Sequence, residues 1–323
     1  MEAASISQKS LIGGSNMSDE IKKGLQGKLI SPKAAVAAFE QGIQGRQYVS
    51  KNRDERAASY ASRKLERQEF LKARVPFITY DFLPDFYLVQ GLSVIGAVSG
   101  KSKSTTASNI LAGFIQETDY AEALVISNEE KTDFVYDRVA CILTGYSFMD
   151  LVKGKLSSEA EQAVRAQSLE LTKRIEVVDG SNWNTAYLED TISILEHAER
   201  AKVNLVIIDY LQTITSSRKE PLMESFMVSK KFGTFLMEYG KRAVVPVVVF
   251  AQLSDGDTRS FKERIENDKM FFNHAFTAIE IIPDFETLLT TFKVHKDRLG
   301  LSTGKEVVMG FKAGKYVLGQ EGF

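Results

Sequence analysis

The pattern of apolar and polar positions changes at about residue 90. From there onward, short runs of β-branched and aliphatic residues alternate with longer stretches of mixed, helix-like composition. Runs without strict alternation read as strands buried on both faces, and the helical stretches between them read as crossovers of a parallel sheet. The runs predict strands at 92–95, 123–127, 174–178, 203–208, 245–250, 278–282 and 287–294, with helices at 157–173, 185–201 and 221–239. The last strands follow one another closely, as hairpins do, and STGKEVVMGFKAGKYVLG adds two short ones. The expected fold class is α/β, a parallel sheet flanked by helices, extended by C-terminal antiparallel strands and preceded by a helical extension.

Two zones precede the sheet. Residues 1–30 are rich in Ser and Gly and read as a polar tail. Residues 31–75 read as helices poor in apolar side chains. Ser31-Pro32 offers an N-cap and a proline at the first helical position before AAVAAFEQGI, and DERAASYASRKLERQEFLKARV follows. Between Arg46 and Arg74 nine basic residues face four acidic ones, which suits a solvated helix face, docking on a neighbouring subunit or contact with phosphate. Residues 76–323 are then the main domain.

Composition narrows the function classes. With 44% apolar and 26% charged residues in 323, the chain is of ordinary globular make-up. A net charge of −1 gives no global attraction to nucleic acid, so any such contact needs a local basic surface. A single cysteine, Cys141, excludes an intrachain disulfide and a cysteine-rich metal site. No run of apolar residues is long enough for a membrane span, and the N-terminus lacks the basic start and apolar core of a secretory signal. The expected location is the cytoplasm.

The first chemical candidate is GAVSGKSKSTTASNILAGFI, which follows the strand LSVI. A strand, a small-residue loop, a lysine, a hydroxyl and a helix is the order of a phosphate-binding loop: backbone N–H groups curl around the phosphates, lysine neutralises them and the hydroxyl holds Mg²⁺. The consensus G-x-x-x-x-G-K-[ST] fits imperfectly in either register. With Lys101 as phosphate lysine, Gly100 and Ser102 fit but Ile95 stands at the leading glycine. With Lys103, Ser104 fits but Ala97 and Ser102 replace both glycines. The second register is preferred because Ile95 belongs to the buried strand, so the helix is expected to begin at Ser104 with Thr105 beside it. The loop candidates are Ala97, Ser99, Gly100, Lys101, Ser102, Lys103, Ser104 and Thr105.

A second apolar run ends in Asp209, as VNLVIIDYLQTI. A carboxylate at the carboxyl end of a buried parallel strand faces the ligand crevice and, with Ser104, can hold Mg²⁺. The string IIDYLQ resembles the Walker B segment of DnaB-type replicative helicases, whose motor is a RecA-like ATPase domain. The resemblance covers about 75–320 and implies further roles. ALVISNEE is similar to the segment carrying the glutamate that activates the attacking water, which points to Glu129, with Glu130 the neighbour. VPVVVFAQL is similar to the strand ending in a glutamine that couples γ-phosphate state to the DNA-binding loop, here Gln252. FKVHKDRLG resembles a K-x-R element reaching the neighbouring subunit's ATP site, so Lys296 and Arg298 match it and Arg298 would be the arginine finger.

The resemblance implies ATP or another NTP with Mg²⁺ as cofactors, a homohexamer with sites between subunits, single-stranded DNA as track, and a primase or loader as possible partner. Candidate DNA loops are 215–220 and 254–269, the latter with Arg259, Lys262, Arg264 and Lys269 balanced by five acids. The family's usual N-terminal collar, or a fused primase, would not be expected to fit in the residues before the main domain, and the expectation is then a phage or plasmid replication system. A RecA/RadA-like recombination ATPase and an accessory scaffold with lost hydrolysis are the alternatives, the second because both loop glycines are replaced.

Overall fold

The computed structural model describes residues 74–76, 87–118, 122–179, 187–255, 259–265, 269–300 and 302–318, all within the unit Arg63–Phe323. The expected tail at 1–30 and most of the expected helical extension at 31–75 lie outside the described residues.

One nine-stranded sheet organises them. Its strands in chain order are β3 (Gly91–Val98), β4 (Ala123–Ser127), β5 (Ile175–Asp179), β6 (Leu205–Asp209), β7 (Pro246–Leu253), β8 (Thr277–Asp284), β9 (Leu289–Asp297), β10 (Glu306–Lys312) and β11 (Lys315–Leu318). Across the sheet the order is β11-β10-β9-β8-β3-β7-β6-β4-β5. The six strands from β8 to β5 are mutually parallel, and β8 through β11 pair antiparallel, as the sequence pattern predicts.

The apolar runs carry no polar alternation because both faces are covered. In β6, Leu205 and Ile207 join one core while Val206 and Ile208 join the other; in β7, Val248 and Phe250 divide from Val247, Val249 and Ala251 in the same way. Helices α1 (Lys103–Glu117), α2 (Thr132–Thr144) and α4 (Ser158–Leu171) pack on the first face, with α3 (Phe148–Val152) between the last two. Helices α5 (Leu188–Ala201) and α6 (Ser225–Arg242) pack on the second, with the short α7 (Phe261–Arg264) and α8 (Lys269–His274) after β7.

Three sequence expectations need correction. The helix expected to reach Val75 does not include Arg74 and Val75: strand β1 (Arg74–Pro76) pairs antiparallel with β2 (Tyr87–Val89). Pro76 disfavours helical geometry at the residue before it. The helix expected from Pro221 begins at Ser225, because the Met223 N–H bonds back to the Glu220 carbonyl in a turn and Glu224 is extended. The stretch expected as a loop after Gln252 contains α7, closed at its start by a capping box of Ser260 and Glu263.

Candidate active site

The carboxyl ends of β3, β4, β6 and β7 lie side by side, which is where a sheet with helices on both faces binds ligands. The register sets Ala97 opposite Gln252 and Ser127 opposite Asp209.

After β3 the chain turns through Gly100 and Ser102, both at positive φ, and α1 starts at Lys103, one residue before the expected start. Lys103 is 5% exposed, and its ammonium lies 5.4 Å from the centre of the Tyr210 ring. The neighbouring Ser104 hydroxyl donates to Asp209 Oδ2 at 2.8 Å. Lys101 points elsewhere, its ammonium 4.5 Å from the centre of the Phe285 ring. The structure therefore brings Lys103, Ser104 and Asp209 together and leaves Lys101 apart from them. Ala97 lies in the core under the loop, and Ser99 is exposed outside the cleft.

A cleft of about 200 Å³ lies over this loop, lined by Gly100 through Thr105 and by Glu129, Glu130 and Arg138. Glu129 is exposed and has no ion-pair partner among the described residues. Glu130 is held by Arg138 of α2 at 2.6 Å. Burial, aided by the nearby Glu129 and Glu130 charges, pushes the Asp209 carboxyl up to about 6, against the lowering effect of Ser104 and Lys103. Its Oδ1 is buried without a hydrogen-bond partner. A buried, orphaned carboxylate oxygen beside a serine hydroxyl is a donor set that fits a hard, partly hydrated Mg²⁺. No cluster of three or more His, Cys, Asp or Glu residues that could hold a metal by itself exists among the described residues. A second cleft of about 280 Å³, mostly apolar, shares Ser102 and Thr105 and continues over Pro283, Phe285, Leu288 and Phe311.

The chain belongs to the DnaB-like helicases. The DnaB-like helicase C-terminal domain family matches residues 87–268, more than half of the chain and every strand end just described. The Replicative DNA helicase DnaB of Mycoplasma pneumoniae (strain ATCC 29342 / M129 / Subtype 1) is 24% identical over 173 residues, covering 50% of this chain and 35% of that relative. This DnaB-like chain thus spans about a third of that relative's length. Two solved structures share its fold at 14% identity. One is an isolated ATPase domain, with a TM-score of 0.61, covering 84% of this chain and 100% of its own. The other is a DnaB-like replicative helicase, described with its interactions with primase; its TM-score is 0.62, covering 94% and 75%. The RecA-like architecture implied by IIDYLQ is the one observed.

Gln252 is the penultimate residue of β7, beyond Val249, the last residue that pairs with β6. There the Gln212 side chain takes over as a ladder partner: its amide donates to the Gln252 carbonyl at 3.1 Å and accepts from the Gln252 N–H at 3.0 Å. Gln212 stands three residues after Asp209 in IIDYLQ, so the motif contained it, but spacing alone cannot tell a clamp from a surface glutamine. Arg138 carried no sequence signal, because its place at the cleft depends on how α2 packs.

Lys296 and Arg298 are not at this chain's own phosphate loop. Asp297 pairs with Thr277, which lies beside Ser93, so both basic residues sit at the opposite end of the sheet from Val98. Five strand residues separate those levels, roughly 17 Å. The Lys296 ammonium donates to the Phe272 and Asn273 carbonyls at 2.7 and 3.1 Å, and Arg298 also donates to Asn273. Burial, with the Arg298 and Lys262 charges, pulls Lys296 down to about 8.

Among the DNA candidates, Lys262 and Arg259 stand on the surface segment around α7. Arg264 turns inward to Glu280 at 2.5 Å, and His295 meets the other Glu280 oxygen at 2.7 Å. The side chain of Lys269 lies outside the described residues. In the 215–220 loop, Arg218 is bound to Asp190 at 2.8 Å and lies over the Tyr187 ring.

Proposed function

We propose that this chain is an ATP-hydrolysing motor of the replicative-helicase type that moves along single-stranded DNA. The observation that carries the reading is the Ser104–Asp209 contact of 2.8 Å beside the buried Lys103. Three groups with the separate tasks of phosphate charge, hydroxyl ligand and carboxylate meet at one helix start although the consensus glycines are absent. Lys103 and the N–H groups of α1 would receive the β- and γ-phosphates. Ser104 and Asp209 would hold Mg²⁺, which supplies charge neutralisation between those phosphates. Glu129, left free where Glu130 is engaged by Arg138, would orient the attacking water, and the apolar cleft at Phe285 and Phe311 would seat the base.

Lys296 and Arg298 would serve the site of a neighbouring copy, which calls for head-to-tail contacts and a closed ring of six. Lys262 and Arg259 would face DNA, and a primase or loader remains a candidate partner. Steady-state ATP hydrolysis with and without single-stranded DNA, followed by duplex unwinding, tests the reading. Stimulation with unwinding is expected. Stimulation without unwinding would favour a recombination ATPase, and binding without turnover an accessory scaffold.

A further inference from the structure

The residue that stands where a phosphate-loop glycine is expected, Ser102, has φ 65° and ψ 20°, the left-handed region that residues with a Cβ rarely occupy. Something in the fold must favour that conformation. Thr106, one turn into α1, donates its hydroxyl to the Ser102 carbonyl at 2.9 Å. With that hydrogen committed, the 3.2 Å contact between the Thr106 and Tyr316 hydroxyls has Tyr316 as donor. The result is a relay from the Tyr316 hydroxyl to Thr106 and on to the Ser102 carbonyl. Each bond polarises the next.

The Tyr316 ring is fixed independently of this relay. It is 1% exposed and meets the Phe292 and Phe311 rings edge-on at 5.0 and 5.4 Å. The buried Asn109 of α1 pins the backbone of β11: its side chain accepts from the Tyr316 N–H at 3.1 Å and donates to the Gly314 carbonyl at 3.0 Å. The strand therefore brings a rigid hydroxyl to Thr106, whose own hydroxyl holds the carbonyl of the one described loop residue with a side chain and an unfavourable conformation.

We propose that Tyr316 is a positioning residue for the phosphate loop, holding Ser102 in the left-handed conformation that a glycine would adopt without help. This rests on the nucleotide reading of the loop. Loss of the relay lowers the fraction of chains with a binding-competent loop, and apparent affinity falls by that fraction.

The test compares ATP affinity, by titration calorimetry with Mg²⁺, in the natural chain, Tyr316→Phe, Ser102→Gly and the double variant. Thermal unfolding of each is measured alongside. Phe keeps the ring packing, and Thr106→Val interrupts the same relay from the other side if Tyr316→Phe fails to fold. Tyr316→Phe is expected to weaken ATP binding about fivefold to tenfold in the natural background and less than twofold when residue 102 is glycine. Ser102→Gly alone is expected to tighten binding. Equal losses in both backgrounds, or no loss in the natural one, would overturn the proposal while leaving the nucleotide site intact. Failure of the natural chain to bind ATP would overturn the nucleotide reading, and this proposal with it.

Discussion

Two lysines compete for one role in the loop, and their surroundings separate them. Lys103 is buried next to the Ser104–Asp209 pair, while Lys101 reaches over Phe285 at the edge of the apolar cleft. A charge desolvated beside a phosphate does far more than one stacked on a half-exposed ring. Lys103→Ala is accordingly expected to lower kcat/KM for ATP by about a hundredfold or more, whereas Lys101→Ala costs about fivefold or less. Steady-state kinetics of the two variants decides, and the reverse order would move the register by two residues. The register was open in the sequence because each alternative breaks the consensus at a different place. Burial separates the two lysines, and that burial depends on Tyr210 and Asp209, more than a hundred residues downstream. Glu129 and Glu130 were adjacent candidates for the same reason, and only the packing of Arg138 distinguishes them.

At the scale of elements, the segments after β6 and β7 are each tied to the sheet by a side chain. Gln212 continues the ladder to Gln252, and Glu280 of β8 holds both Arg264 and His295. Phe261 of α7 packs where a Cβ on Gly96 would come within 2.7 Å of its ring, so α7 sits directly against the strand that leads into the phosphate loop. If that segment contacts DNA, the Gln212–Gln252 bonds offer a route to it from Asp209. Gln212→Met keeps the side-chain length and removes both bonds. It is expected to reduce stimulation of ATP turnover by single-stranded DNA by more than half while unstimulated turnover falls less. Equal losses in the two assays would sink that coupling.

Burial works against ionisation of Glu280, but His295 and Arg264 outweigh it and hold the carboxyl below its ordinary range. A carboxyl depressed in the fold contributes stability above its unfolded value of 4.5. That contribution disappears as pH falls through the lower folded value. Glu280→Gln is therefore expected to cost about 1–3 kcal/mol at pH 7 in denaturant unfolding, because it leaves the Arg264 charge half-buried without its counter-charge. The gap from the natural chain should narrow steadily below pH 4.5. A gap independent of pH would mean the site acts by shape alone. The sheet itself was legible because runs such as 203–208 are buried on both faces, and the C-terminal hairpins because their runs follow one another closely. Strand ends were less so: β7 continues to Leu253 and β9 to Asp297, past the apolar runs, because backbone pairing carries polar residues to the sheet edge. The short α7 and the β1–β2 pair have too few residues for any periodicity to show.

For the whole molecule, the decisive fact is that Arg298 and Lys103 belong to opposite ends of one sheet. No side chain spans the roughly 17 Å between those strand levels as well as the turns beyond them, so a finger role for Arg298 implies a second copy. That implication can be separated from a structural role by mixing. In an Arg298→Ala chain the phosphate loop is intact and the finger absent; in a Lys103→Ala chain the finger is intact and the loop absent. Each alone is expected to show turnover below about one hundredth of the natural chain. In an equal, freely exchanging mixture, about one interface in four pairs an intact loop with an intact finger, so about a quarter of natural turnover should return. A structural role for Arg298, at its bond to the Asn273 carbonyl, predicts no recovery, because the damaged chain stays damaged whatever its neighbour. Recovery therefore requires that the two groups act on one nucleotide from different chains.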